Sequence, residues 1–480
     1  MLKINYKSFA YDDNKNSNNL TDINFNVDKG EVILLCGESG CGKTTITRLI
    51  NGLIPYFYKG KDNGNVFLND KLLSKMPIYE ISEKVGSVFQ NPKTQFFNVD
   101  TTSELIFGCE NLAFSPNEIE KRFKIVVDEF NLDNLINKSI FKLSGGEKQK
   151  IACGSVSAVS PDIFILDEPS SNLDSASTWD LRNIINKWKS QGKTIIIAEH
   201  RLYFLKDIVD RVIYLKNGNL IKDSDFNTFK NEEFQSLGLR EIDLKRLKPK
   251  QKDYYSKNNN IIKLNNFKFK YADKIAMDIN QLEIPQNEII AIIGKNGAGK
   301  STFARCLCGL ESKCRGTVLK DEKTLKYKDR LKHSYMVMQD VNHQLFTESA
   351  LEEVLLSLGN ENLQLAEGIL DNLNLLDLKD THPMALSGGE KQRVAIASAI
   401  ASKKDILIFD EPTSGLDLKN MREVSKNLIN LQKLGITSFI VTHDLELIFE
   451  CCSHVLHFED GKIKDSYKID EEKLKEFFIH

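Results

Sequence analysis

Short apolar runs recur along this chain in the same order in each half. EVILLCG at 31–37, FILDE at 164–168 and TIIIAEH at 194–200 have counterparts in NEIIAIIG at 287–294, LIFDE at 407–411 and TSFIVTH at 437–443. Each run is short enough for a strand, and stretches of helical character separate them. Strand alternating with helix is the pattern of a mostly parallel α/β sheet.

The repetition extends beyond the strands. LCGESGCGKTT at 35–45 returns as IIGKNGAGKST at 292–302, and IFILDEPSSNLD at 163–174 returns as ILIFDEPTSGLD at 406–417. KLSGGEKQK at 142–150 returns as ALSGGEKQR at 385–393. The chain reads as a tandem duplication. From Ser144 to Ser387, Asp167 to Asp410 and His200 to His443 the offset is 243, whereas from Gly37 to Gly294 it is 257. The first half therefore carries 257 − 243 = 14 extra residues between its glycine loop and its LSGG segment, where surface insertions are expected. Between the halves, 223–259 is polar, basic and without period, ending in LKRLKPKQKDYYSKNN at 244–259. It reads as a linker between a first domain at 1–222 and a second at 260–480.

Composition narrows the class. With 480 residues, 41% hydrophobic and 28% charged, the chain has material for two or three globular cores, and a net charge of −2 provides no general attraction to nucleic acid or anionic lipid. The opening MLKINYKSFAYDDN has no apolar export segment, and no run approaches 18 apolar residues, so a cytoplasmic chain is expected. Nine irregularly spaced cysteines agree with reduced thiols. Cys306, Cys308 and Cys314 cluster in CLCGLESKC, but no second close pair completes a four-ligand metal set, and they read as buried thiols.

The glycine loops carry the strongest chemistry. Each follows an apolar strand and opens a helix, the context in which G-x-x-x-x-G-K-[ST] wraps backbone N–H groups around phosphate. Gly37, Glu38, Ser39, Gly40, Cys41, Gly42, Lys43, Thr44 and Thr45 form the first loop. Gly294, Lys295, Asn296, Gly297, Ala298, Gly299, Lys300, Ser301 and Thr302 form the second. Lys43 and Lys300 would reach the β and γ phosphates, and Thr44 and Ser301 would meet magnesium. Asp167 and Asp410 end apolar strands, where they can hold the magnesium shell, and Glu168 and Glu411 one residue on can reach an attacking water. His200 and His443 close parallel strands near the same sheet edge and can contact the γ-phosphate.

With these motifs the chain resembles a pair of ATP-binding cassette (ABC) ATPase domains over nearly all of both halves. The resemblance implies two tandem ABC-type P-loop NTPase domains, each with a mostly parallel core, a helical signature subdomain and an antiparallel β subdomain, using ATP and Mg2+. In that family LSGG completes a site on the opposite domain. One site would join Gly37 to Thr45, Asp167, Glu168 and His200 with Ser387, Gly388 and Gly389. The other would join Gly294 to Thr302, Asp410, Glu411 and His443 with Ser144, Gly145 and Gly146. The family also implies an aromatic residue under adenine, which Tyr11 and Tyr271 match. Lys150 stands where the family usually has arginine and the second half has Arg393, which leaves local anchoring there in question.

FQNPKTQFF at 89–97 and MQDVNHQLF at 338–346 hold Gln90 and Gln339, which match the family's magnesium- and water-sensing glutamines. The apolar residues after them suit a groove for a partner's helix. Together with NGLIPYFYKG at 51–60 and AEHRL at 198–202, they resemble the ATPases of energy-coupling factor importers. That resemblance implies an integral-membrane coupling protein, a small substrate-binding membrane protein for a vitamin or transition-metal ion, and a place on the cytoplasmic face of the cell membrane. The tether forbids neither pairing of the halves within one chain nor pairing across two, but effective concentration favours head-to-tail pairing within one chain, and no nucleic acid is expected. The alternatives from sequence are the tandem ATPase of a sugar-type importer and a soluble translation-associated cassette protein.

Overall fold

The structure, a computed structural model, describes residues 1–12, 19–171, 173–250, 260–359 and 362–479. They fall into two compact units, Met1–Asp243 and Leu244–His480.

The first unit contains β1 (Leu2–Tyr11), β2 (Leu20–Val27), β3 (Val32–Cys36), β4 (Gly60–Leu68), β5 (Lys71–Leu72), β6 (Val85–Val88), β7 (Ile163–Asp167), β8 (Thr194–Ala198), β9 (Arg211–Lys216) and β10 (Asn219–Asp225). They form one sheet in the order β5-β4-β1-β2-β10-β9-β3-β8-β7-β6. From β9 to β6 the pairing is parallel, and from β5 to β2 it is antiparallel. Alternate residues of each central strand face opposite ways, so β3 supplies Val32, Leu34 and Cys36 to one core and Ile33 and Leu35 to the other. The first core receives the Gly145–Val159 and Ser175–Ser190 helices through Ile151, Leu181 and Trp188. The second receives the Lys43–Ile50 helix through Ile46, Leu49 and Ile50, together with the antiparallel strands. A strand buried on both faces has no polar alternation, which is why these runs read as continuous apolar stretches.

The second unit repeats the plan with β11 (Ile261–Tyr271), β12 (Lys274–Pro285), β13 (Ile289–Ile293), β14 (Arg315–Lys320), β15 (Lys323–Leu325), β16 (Ser334–Val337), β17 (Ile406–Asp410), β18 (Thr437–Val441), β19 (His454–Glu459) and β20 (Lys462–Lys468). Here the strands divide into β16-β17-β18-β13-β19-β20 and β12-β11-β14-β15. In the first unit the pairing of Asn219 with Thr21 merges the corresponding sheets into one.

The 14 extra residues fall in two places. From Lys43 to Gln90 is 47 positions against 39 from Lys300 to Gln339, a difference of 8, and from Gln90 to Ser144 is 54 against 48, a difference of 6. The first difference includes the short Leu53–Tyr56 helix, which buries Ile54 and leaves Phe57 exposed. The second matches the helix Pro116–Phe130, 15 residues long where Leu363–Asp371 has 9.

The stretch expected as a linker is structured at both ends. Phe226, Phe229, Phe234, Leu239 and Ile242 are buried in the first unit's core, so that unit runs to Asp243 rather than ending at 222. These five apolar residues sit at irregular intervals among charges, and no single period exposes them in sequence. Further on, Lys250 pairs with Glu450 and its N–H donates to the Phe449 carbonyl at 3.0 Å, which ties 244–250 to the second unit. Residues 251–259 of the expected linker lie outside the described residues.

Candidate functional site

In the first unit, the loop between β3 and the Lys43–Ile50 helix is shaped by close backbone approach. A Cβ on Gly37 would lie 2.2 Å from the Leu215 carbonyl oxygen and 2.6 Å from Cys41 Sγ, and Gly42 takes φ 106° as the helix N-cap. Lys43 is buried, and its Nζ donates to the carbonyls of Gly37 at 3.0 Å and Glu38 at 3.2 Å and lies 3.2 Å from His200 Nε2. Thr44 Oγ1 donates to Asp167 Oδ1 at 3.2 Å. A cavity of about 190 Å³ is lined by Asn19, Ser39, Gly40, Gly42, Lys43, Thr44, Thr45 and Glu168. Backbone N–H groups at a helix N-terminus beside a buried ammonium suit a polyphosphate anion.

The strand-end acids converge on the same place. Glu168 sits at φ 46° and its N–H donates to the Ala198 carbonyl at 2.7 Å, so the chain leaves β7 in a left-handed turn that sets Glu168 apart from Asp167. Its carboxylate accepts from Gln90 Nε2 at 2.7 Å and lies 3.3 Å from His200 Nε2. Burial, reinforced by the neighbouring Glu168 charge, pushes the Asp167 carboxyl up to about 6, against the opposing hydrogen bond from Thr44.

The second unit builds the same arrangement. Lys300 Nζ donates to the carbonyls of Gly294 at 2.7 Å and Lys295 at 3.0 Å, and Gly299 caps the helix at φ 98°. Glu411 stands at φ 51° with its N–H on the Val441 carbonyl at 2.9 Å, and its carboxylate is 3.5 Å from His443 Nε2. Burial also raises Asp410, with the Ser301 hydroxyl opposing. Gln339 follows β16 as Gln90 follows β6. Tyr11 packs edge-on to Phe9 and Tyr271 edge-on to Phe269, with centroids 5.0 and 4.8 Å apart. Tyr11 further accepts from Arg48 and donates to Thr45.

Ser144 and Ser387 are N-caps of the Gly145–Val159 and Gly388–Ala401 helices, each in a reciprocal capping box, with Glu147 and Glu390. Both serines are exposed, and Ser144, Gly145 and Gly146 are not among the described residues that line the first unit's phosphate-sized cavity. Lys150 makes an ion pair with Asp180 at 2.8 Å, whereas Arg393 donates from Nη1 to Asn420 at 2.8 Å. The two positions hold the following helix through different partners.

Two features escape sequence reading. Asn19 lines the first cavity, yet it follows a stretch with no pattern. Glu199 accepts the N–H groups of Ser170, His200 and Arg201, while in the second unit Asp444 accepts from Thr413 Oγ1. The acid has moved from just before the histidine to just after it, but it still ties the strand end to the matching residue, Ser170 or Thr413, 243 positions apart. The difference between AEHR and VTHD therefore preserves the tie between the strand end and the loop after the strand-end glutamate.

The ABC transporter family model matches residues 20–171 and 277–414. A Treponema denticola protein described as an ABC transporter ATP-binding protein is 45% identical over 471 residues, covering 96% of each chain. A Methanosarcina acetivorans protein of the same description is 33% identical, covering 92% of this chain and 82% of its own. Among solved structures, RNase-L Inhibitor covers 98% of this chain and 93% of its own with a TM-score of 0.66 at 21% identity, a likeness of fold alone. The chain belongs to the ABC transporter family and is an ATPase built from two tandem domains of that family.

Proposed function

We propose that this ATPase energises a membrane importer of the energy-coupling factor type, for a vitamin or transition-metal ion, through two composite ATP sites. The observation that carries the membrane-partner reading is a matched pair of presented phenylalanines. Phe97 is 77% exposed and Phe346 75%, each on the loop after the sensing glutamine of its own unit. Each loop is pinned from beneath: buried Glu104 accepts the Phe97 and Asn98 N–H groups, and buried Glu353 accepts those of Phe346 and Thr347. Spending a buried carboxylate on holding an apolar ring in water suits a preorganised anchor for a partner. In the first unit, Phe97 stacks on Phe107 at 5.1 Å and borders a groove of about 330 Å³ with Leu53, Phe57, Phe89 and Val156. A groove of this kind accepts the apolar face of a helix. No helix among the described residues is long and apolar enough to cross a membrane. The importer reading assigns the transmembrane path to an integral-membrane coupling protein and a small substrate-binding membrane protein, with this ATPase at the cytoplasmic face.

Phe97→Asp with Phe346→Asp tests this. The rings are exposed, so the variant is expected to fold and keep basal ATPase activity, while membrane proteins that co-purify with the wild type in detergent are lost. Unchanged co-purification contradicts the docking role.

In each site, Lys43 or Lys300 would steady the β and γ phosphates, and Glu168 or Glu411 would take a proton from water. Gln90 or Gln339 would orient that water, and His200 or His443 would hold the γ-phosphate, with Tyr11 and Tyr271 against adenine. Magnesium would neutralise phosphate charge. Thr44 with Asp167, and Ser301 with Asp410, fit it, since this ion is commonly held by one or two carboxylates together with substrate phosphates.

The Asp167 carboxyl, pushed up to about 6, adds a pH signature. Below that value Asp167 carries a proton that cation binding must release, so apparent Mg2+ affinity at the first site is expected to fall up to roughly tenfold per pH unit. Above pH 7 it should be flat. Isothermal titration at pH 5.0 to 7.5, in buffers of different ionisation enthalpy, would count the proton released. Release of no protons at pH 5.5 contradicts the assignment.

A further inference from the structure

Tyr11 and Tyr271, read above as the rings against adenine, are held differently, and the difference is built into the sheet. In both units the tyrosine ends its strand and packs edge-on to the phenylalanine two residues earlier. The neighbouring strands then diverge. β4 stays paired with β1 as far as Tyr11 opposite Gly60, whereas β14 leaves β11 at Lys268 opposite Arg315, three residues short of Tyr271. Gly60 makes the longer pairing feasible, since a Cβ there would lie 2.3 Å from the Ala10 carbonyl oxygen and 2.8 Å from the Phe9 ring.

The approach to Gly60 supplies one more aromatic ring. From Gly52 to Gly64, which opens GNVFL, is 12 positions, against 7 from Gly309 to Gly316, which opens GTVLK. Within the longer stretch Tyr58 donates its backbone N–H to the Leu53 carbonyl at 2.9 Å, and its ring lies 6.3 Å from Tyr11 between centroids, at 77°. Arg48 joins the two tyrosines. Its guanidinium carbon lies 4.0 Å from the Tyr58 ring centroid, and its Nη1 donates to the Tyr11 hydroxyl at 3.1 Å. That hydroxyl donates in turn to Thr45 Oγ1 at 3.4 Å. Arg305 holds the same place in the second unit, 5 positions after the P-loop lysine, yet it pairs with Glu311 at 2.9 Å, and Tyr271 is 50% exposed.

We infer that Tyr58, acting through Arg48, is a positioning residue for nucleotide: it holds Tyr11 in the pose that stacks on adenine, a support the second site lacks. This rests on the reading of Tyr11 as the ring against adenine. A cation stacked on one ring and bonded to the hydroxyl of the other restricts both before the ligand arrives, and a ring already fixed loses less freedom on binding. Tyr58 acts on the stacking ring and not on the phosphates, so only a ligand with a base feels it. Removing an aromatic neighbour and a cation–π partner corresponds to about three- to tenfold in affinity.

The test uses the full-length chain carrying Glu168→Gln and Glu411→Gln, to stop turnover, and Lys300→Ala, to confine binding to the first site. It is titrated calorimetrically with MgATP and with magnesium tripolyphosphate, which offers phosphates without a base. Tyr58→Ala is expected to weaken ATP about three- to tenfold and to leave tripolyphosphate unchanged. Tyr58→Phe keeps the ring against Arg48 and retains full affinity. With Tyr11→Ala already present, Tyr58→Ala adds nothing. In the reciprocal chain, with Lys43→Ala in place of Lys300→Ala, Tyr58→Ala leaves ATP affinity unchanged. ATP affinity that survives Tyr11→Ala removes the adenine reading and the inference with it, whereas a loss with Tyr11→Ala but none with Tyr58→Ala overturns the inference alone. Equal weakening of ATP and tripolyphosphate by Tyr58→Ala also overturns it, because the ring would then serve the shape of the site and not the base.

Discussion

Glu168→Gln combined with Glu411→Gln is expected to abolish ATP turnover while leaving nucleotide binding in place. Each glutamate is turned out of its strand by a left-handed residue and lies within 3.5 Å of a strand-end histidine; Glu168 also accepts from Gln90 at 2.7 Å. Glutamine keeps the size and the hydrogen bonds of that side chain but cannot take a proton from water. Removing a general base should lower the rate by about 10² to 10⁴ fold, on the order of 3 to 5 kcal/mol of barrier. Either single variant should keep the turnover of the other site. Binding of a fluorescent ATP analogue and steady-state phosphate release separate the two effects, and wild-type turnover in the double variant removes both glutamates from the mechanism.

Ser387→Arg is expected to cripple hydrolysis of the nucleotide held at Lys43, although Ser387 belongs to the other half of the chain. Ser387 is an exposed N-cap, and the first-turn N–H groups of its helix point where an anion gains from the helix dipole. A bulky cation there would block approach of the γ-phosphate and hold the domains apart, while ATP could still dock on the P-loop. Loss of the cap alone costs roughly 0.5–2 kcal/mol of stability. Ser387→Ala, which loses the same cap without the bulk, is therefore the control. It should fold and retain most activity, whereas Ser387→Arg should not turn over at that site. Ser144→Arg is the reciprocal variant for the nucleotide at Lys300.

The parts of this fold that were legible in sequence are those where one physical demand governs several neighbouring residues. Strands buried on both faces need unbroken apolar runs, and β3, β7 and β8 show them; glycine loops need positive φ and close approach, and Gly37 and Gly42 supply both. The duplication made each reading twice over. What stayed hidden depends on residues distant in sequence. The burial of Phe226, Phe229 and Phe234 is decided by a core elsewhere in the chain, and the charged residues among them masked it. Glu199 and Asp444 flank the two histidines on opposite sides in sequence, so their equivalence emerges only through Ser170 and Thr413.

We propose that the LSGG helix of each half completes the ATP site of the opposite half. Phosphate release from Glu411→Gln, compared with Glu411→Gln plus Ser387→Arg, tests it most directly. Glu411→Gln silences water activation at the second site and leaves most remaining turnover to the first. If Ser387 completes the site at Lys43, the added substitution takes this residual rate to near zero. If each half completes its own site, Ser387→Arg falls on a site already silent, and an unchanged rate in the combined variant contradicts the composite-site account.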